Sequence, residues 1–212
     1  MIVDNIGTEG CSTGWTVQKS NGARALLTSG HCQHRTSSPW RAGLSDRVVG
    51  NEGPRSTATD SMTLEGQSYN PTVYVDGWTS TLGLPVHSWS DPVLGEVICE
   101  DGAFSGQVCG PVVDEVGMTV DYGFGAVGPG FTATLPTTSH ASAGEGDSGG
   151  PAYNQAGRGS GQVKLRGMIA ARNYNSQYVA PCVGVTGREC SRKNYHVNVN
   201  AINSALGVTP VT

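Results

Sequence analysis

The sequence predicts an all-β chain. Short apolar or alternating runs recur along it, turn residues punctuate them at short intervals, and no helical pattern lies between one run and the next. Gly14 to Val17 and Arg24 to Thr28 flank Ser20-Asn21-Gly22, a hairpin signal because Asn and Gly tolerate the left-handed backbone of a tight turn. Further strands are expected at Arg47 to Val49, Ser61 to Leu64, Thr72 to Val75 and Val93 to Ile98. Beyond these come Met118 to Tyr122, Gly130 to Leu135, Val163 to Ala171 and Tyr195 to Val199. A parallel α/β sheet needs helices of about 10–15 residues between strands, and none is legible. One helix is expected at the end, over Asn200 to Leu206, with Gly207 as its stop. The Gly- and Pro-containing stretch Gly83 to Pro92 reads as a connection between two halves of one unit, residues 1–90 and 91–212.

Composition agrees. A chain of 212 residues suits one compact unit or two small halves sharing a cleft. Only 14% of residues are charged, against 37% hydrophobic, with 31 glycines and 11 prolines, which fits short strands joined by tight turns rather than disorder. The net charge of −4 comes without a run of like charges, so neither a nucleic-acid surface nor a basic membrane patch is expected. No apolar run approaches the roughly 18 residues of a transmembrane helix. Met1-Ile2-Val3-Asp4-Asn5 lacks the basic start and apolar core of a signal peptide, so an exported form would be one whose leader is already removed.

The six cysteines are even in number and fall in sequence-near pairs: Cys11 and Cys32, Cys99 and Cys109, Cys182 and Cys190. Six cysteines allow 15 connectivities, and spacing alone does not choose among them. No Cys pair has the close spacing of a zinc site, and Cys32-Gln33-His34 lacks further ligands, so disulfides are expected and no metal or cofactor. Three disulfides imply an oxidising, extracellular setting.

Gly144-Glu145-Gly146-Asp147-Ser148-Gly149-Gly150-Pro151 is the candidate for chemistry. A serine among glycines can expose its hydroxyl while neighbouring amides remain able to donate to a ligand. Acyl transfer needs both, with Ser148 as nucleophile and the N–H groups of Gly146 and Ser148 around the developing oxyanion. A Gly-rich turn is the bland reading of G-x-S-x-G alone; the longer string is more specific. Serine also needs a base. Of His31, His34, His87, His140 and His196, only His31 follows an apolar strand beside a cysteine, where a side chain can be held in one rotamer. The other four read as surface or turn histidines. The orienting carboxylate is Asp60, which opens a strand; Asp46, Asp76 and Asp91 sit in turn-like settings.

Chain order separates two folds that use such a serine. The α/β-hydrolase order is Ser, acid, His, yet after Ser148 the chain has no aspartate, and only Glu189 and His196 remain. The order His31, Asp60, Ser148 is that of the chymotrypsin template.

These strings, Thr28-Ser29-Gly30-His31-Cys32 and Gly146-Asp147-Ser148-Gly149-Gly150-Pro151 with Asp60 between them, resemble the chymotrypsin-like serine proteases. The bacterial branch of streptogrisins and α-lytic protease is the nearer likeness. Cys11-Ser12-Thr13-Gly14-Trp15 is similar to its opening, Cys99 to Gly110 to its mid-chain disulfide loop, and Ala201 to Val208 to its terminal helix. The resemblance implies the trypsin-like fold: two six-stranded antiparallel β-barrels, His31 and Asp60 on the first, Ser148 on the second, and an extended peptide in the cleft between. It implies the pairs Cys11–Cys32 and Cys99–Cys109, leaving Cys182–Cys190. It further implies a secreted monomeric endopeptidase acting on polypeptide substrates, matured with the help of its own propeptide. A catalytically silent binding relative and an esterase are the rival readings.

Three positions depart from that pattern. Gly144 stands where the family often has a cysteine. Glu100 replaces the basic residue that commonly pairs with the aspartate before the nucleophile, so Asp147 needs another counter-charge, for which Arg172 is the candidate. Ile2-Val3 resembles the animal zymogen start, but Cys11 follows far sooner than in those enzymes. By resemblance Ser142 lies at the base of the specificity pocket, and Gly167 to Arg172 lines it. Uncharged Ser142 with Ala170 and Ala171 leads to the expectation of an apolar side chain before the scissile bond; Arg172 would instead attract an acidic one, cap the pocket or pair with Asp147.

Overall fold

The computed structural model describes residues 2–3 (backbone only), 10–33, 39–43, 45–123, 125–155 and 161–212. Among them almost every element is a strand, and the one α-helix is Val199–Leu206. The first hairpin forms as its sequence dictates. Thr16–Lys19 and Arg24–Ser29 pair antiparallel, Gly22 takes φ +82°, and the Asn21 side chain accepts the Ala23 N–H at 3.0 Å.

Two large sheets result. In the first, Ser61–Glu65 runs between Arg24–Ser29 and Val48–Ser56, which passes the ladder to Trp40–Ala42. Ile2–Val3 and Gly10–Cys11 extend its far edge. In the second, the order is Val97–Gly102, Gly106–Asp121, Ala126–Thr134, Lys193–Asn198, Val163–Arg172 and Pro151–Gln155. Pro151–Gln155 pairs back onto Val97–Gly102, so these six antiparallel strands close into a barrel. The expected fold class is therefore observed, although each sheet has eight strands among the described residues. The first sheet does not close among them.

Gly83–Trp89 corrects another expectation. It is a strand, not a connection, and lies parallel to Val163–Leu165, with Val86 buried. Its Gly and Pro obscure the alternation that a sequence reading relies on. The run expected from Val93 to Ile98 becomes a strand only at Val97. Ahead of it the Glu96 N–H closes a turn onto the Val93 carbonyl, with Gly95 at φ +79°. Gly106–Asp121 is far longer than the expected Met118 to Tyr122. Gly117, at φ +69°, falls at a register shift between Val116 and Met118, so the strand bends there instead of ending.

Strands cross the expected boundary at residue 90. Thr72–Tyr74 and Gly83–Trp89 join the second sheet, while Val208–Pro210 returns to pair with Thr16–Lys19 in the first. The helix between them stops at Gly207, left-handed at φ +63°, whose N–H reaches the Asn203 carbonyl.

The main buried cluster draws on both sheets and the helix, with Trp15 and Leu27 against Leu165, Met168, Val197 and Ile202. Full burial of such side chains contributes about 1.5–3 kcal/mol each, which sets the two sheets in a fixed relation. Trp40, Met62 and Leu64 pack around Cys11 and Cys32. The disulfides are Cys11–Cys32, Cys99–Cys109 and Cys182–Cys190, the pairing that the resemblance implies, and no cysteine is free.

Candidate active site

Arg24–Ser29 ends in a 3-10 turn, Gly30–Cys32, tied through Cys32 to Cys11. The neighbouring strand begins just after Asp60, and Ser29 pairs with Ser61, so His31 and Asp60 emerge side by side. Asp60 is 2% exposed and takes φ +40°, a conformation that aspartate adopts more readily than most residues. Its Oδ1 accepts the His31 backbone N–H at 2.7 Å, and its Oδ2 lies 2.6 Å from His31 Nδ1. A carboxylate at Nδ1 selects the tautomer protonated there and leaves Nε2 as the basic ring atom. Tyr122, at the end of the long strand, donates its hydroxyl to the same Oδ2 at 2.6 Å. Burial, and after it the Asp60 charge, hold the Tyr122 hydroxyl pKa well above its ordinary value, so it remains a donor.

In the loop carrying Ser148 the amides follow a pattern. Glu145 N–H donates to Glu189 O, Asp147 N–H to Gly144 O, Gly149 N–H to Ile169 O and Gly150 N–H to Asp147 O. Gly144 N–H donates to Asp147 Oδ2 at 2.8 Å. The N–H groups of Gly146 and Ser148 alone in this stretch have no acceptor among the described residues. Ser12 ties the loop to the first sheet. Its N–H donates to Ser148 O at 2.8 Å, and its hydroxyl donates to Gly146 O at 2.9 Å.

Asp147 is fully buried. It accepts the N–H groups of Phe104 and Ser105 at 3.0 Å and the Ser105 hydroxyl at 2.7 Å. Its counter-charge is Arg188, with Nη1 2.8 Å from Oδ2. This corrects the expectation of Arg172, whose guanidinium pairs with Glu189 and lies 3.6 Å from Glu145 while stacking over the Tyr174 ring. Arg172 follows the strand out to the cleft rim, away from the buried carboxylate.

His31 and Ser148 line one cleft of about 370 Å³, together with Tyr122, Gly146, Ala170, Ala171 and Arg172. Ser142 is not in that lining. It is 1% exposed, and its hydroxyl accepts from the buried Asn194 Nδ2 at 2.9 Å. His196 is also not a surface histidine. It is fully buried, stacks on Phe131 at 4.6 Å, and has Nε2 3.1 Å from Glu100 Oε1. His87 is exposed and His140 half-buried, while His34 lies outside the described residues. Ser12 lies in the opening string but carried no role there, and Tyr122 and Arg188 had no local motif to mark them. The one available signal was the unmet need of Asp147 for a cation.

No family model and no curated protein sequence matches the chain. Among solved structures it is similar to a glutamic-acid-specific serine protease that uses a histidine triad in substrate binding. The identity is 26% over 95% of this chain and 93% of that one, with a TM-score of 0.69. Cellulomonas bogoriensis chymotrypsin is 22% identical over 97% and 93%, TM-score 0.65. An α-lytic protease homologue, N4, is 18% identical over 95% and 92%, TM-score 0.58. The chain thus has the trypsin-like fold and is similar over nearly its whole length to chymotrypsin-like bacterial serine proteases, which supports its assignment as a serine endopeptidase.

Proposed function

We propose that the chain is a secreted endopeptidase that cleaves polypeptides through an acyl-enzyme on Ser148. His31 takes the Ser148 proton as the hydroxyl oxygen attacks the scissile carbonyl, and Asp60 stabilises the imidazolium that forms. The N–H groups of Gly146 and Ser148 receive the negative charge on the carbonyl oxygen. His31 then protonates the leaving amine, and water repeats the sequence to release the acyl group. The observation that carries this reading is the His31 Nδ1–Asp60 Oδ2 contact of 2.6 Å in the same cleft as Ser148 and its two available amides. Three disulfides support an extracellular setting.

For the residue preceding the scissile bond we propose an apolar side chain. Ala170 and Ala171 supply apolar wall, and the one guanidinium in the lining, Arg172, faces two carboxylates, Glu145 in the lining and its partner Glu189. That balance disfavours an acidic side chain. The glutamic-acid-specific neighbour favours the second reading, an acidic preference, but that protein uses a histidine triad. Among the described residues one histidine, His31, lines the cleft here.

Digestion of a diverse peptide library, read by mass spectrometry beside Ser148→Ala, tests both statements. Internal cuts by the parent and none by the variant are expected, with Leu, Phe or Tyr before the cuts. Folded parent protein that cuts no peptide would overturn the endopeptidase reading, and cuts after Glu or Asp would overturn the apolar one.

A further inference from the structure

The Arg188 guanidinium lies in the loop closed by Cys182–Cys190, with its side chain 8% exposed. It donates in five directions. Nε reaches Val185 O at 2.8 Å, Nη2 reaches Val183 O at 3.2 Å and Ser105 Oγ at 2.6 Å, and Nη1 reaches Asp147 Oδ2 at 2.8 Å and Glu145 O at 2.6 Å. The last two acceptors stand on either side of Gly146. A trans peptide unit points its C=O and its N–H in opposite directions. Holding the Glu145 carbonyl on Arg188 therefore turns the Gly146 N–H away from Arg188, the orientation in which it has no acceptor among the described residues. The next donor is set similarly, since the Asp147 carbonyl accepts from Gly150 N–H and the Ser148 N–H points the other way. Gly146 itself adopts φ +89°, where L side chains are strained, and a Cβ there would lie 2.6 Å from the Phe104 ring. Without a grip on Glu145, the Gly146 backbone has the freedom to rotate that peptide.

We infer that Arg188 is a positioning residue for the proposed reaction. It orients the Gly146 N–H toward the developing oxyanion by binding the Glu145 carbonyl and the Asp147 carboxylate together, and the Cys182–Cys190 disulfide holds it in place. The inference rests on the acyl-enzyme reading above and adds that the donor is aimed by a side chain of this later loop, neither by Glu100 nor by Arg172. Arg188 does not touch the reacting atoms. Its loss therefore acts on the transition state more than on substrate binding.

The test compares the parent with Arg188→Lys, Arg188→Met and Cys182→Ser/Cys190→Ser, each checked for folding by circular dichroism and melting temperature. For a peptide that the parent cleaves, kcat should fall on the order of 100- to 1,000-fold in Arg188→Met, the range for losing one oxyanion donor, with KM within about threefold. A peptidyl boronate, whose tetrahedral adduct needs the donor, should lose affinity in step with kcat/KM. The N-terminal cleavage product, a ground-state ligand, should bind as before. Arg188→Lys keeps the charge without the fork, so it is expected to recover part of the rate, and the double serine variant should resemble Arg188→Met. A folded Arg188→Met or Arg188→Lys that retains kcat within threefold, or equal losses for boronate and product, overturns the inference. If Arg188→Met does not fold, Arg188→Lys carries the test by the same two readouts. A parent that cleaves nothing and leaves Ser148 unlabelled by a fluorophosphonate sinks the protease reading instead, so the two failures are distinguishable.

Discussion

Tyr122 donates its hydroxyl to Asp60 Oδ2 at 2.6 Å, the same oxygen that lies 2.6 Å from His31 Nδ1. The two residues are 62 positions apart and come from different sheets, Asp60 beside a strand of the first and Tyr122 after a strand of the second. A hydrogen bond to a charged group contributes about 1.5–3 kcal/mol, so Tyr122→Phe is expected to lower kcat/KM by roughly tenfold or more. Steady-state kinetics on a peptide substrate checks this, and an unchanged kcat/KM would remove Tyr122 from the account.

Asp60→Asn keeps a side chain that tolerates φ +40° but replaces an acceptor oxygen with an amide donor. The imidazole is then held in the wrong tautomer, and kcat should fall on the order of 10⁴-fold with little change in melting temperature. A loss below tenfold in a folded variant would exclude Asp60 as the orienting acid.

Gly102 packs directly on the buried carboxylate: a Cβ at that position would lie 2.0 Å from Asp147 Oδ1. Asp147 has no room to yield, because donors surround it on every oxygen. Gly102→Ala is expected to cost about 1–3 kcal/mol of stability and to lower activity as the Ser148 loop shifts. Chemical denaturation beside an activity assay measures both; a variant unchanged in either respect would contradict the packing described.

Burial, and after it the Asp147 charge, push the Asp101 carboxyl up to about 8 from 3.8. The folded chain therefore holds that proton more tightly than the unfolded chain does. The stability it contributes is complete below about pH 4 and is lost as pH rises through about 8. Asp101→Asn removes the ionisation. Its melting temperature should track the parent's in acid and exceed it at about pH 9, and parallel curves at both pH values would refute the assignment.

Glu189 neutralises Arg172 at the cleft rim. Glu189→Gln leaves the guanidinium with Glu145 alone, at 3.6 Å. Relative kcat/KM for a substrate with Glu before the scissile bond, against one with Phe, is expected to rise about tenfold, the scale of one charge-assisted hydrogen bond. No shift in that ratio would mean that Arg172 does not face the substrate.

By itself the sequence determined what is local. A hairpin set by Asn21 and Gly22, the helix stop at Gly207, and the strings around His31 and Ser148 are legible because each depends on residues a few positions apart. Its place at the opening of an alternating strand marked Asp60, and chain order then set the α/β-hydrolase fold aside. Tertiary structure decided which groups meet. Arg188 lies 41 positions from Asp147, and nothing in its neighbours distinguishes it from Arg172, only 25 positions away. The family resemblance implies that Asp147 needs a cation, but which cation arrives is set by distance in space. A strand carries Arg172 out to the rim, whereas the Cys182–Cys190 loop folds Arg188 back over the carboxylate. The same reason buried Ser142 beside Asn194 and brought Tyr122 to Asp60. Burial and pairing are properties of the closed sheets, and they exist only once strands far apart in the chain have been hydrogen-bonded side by side.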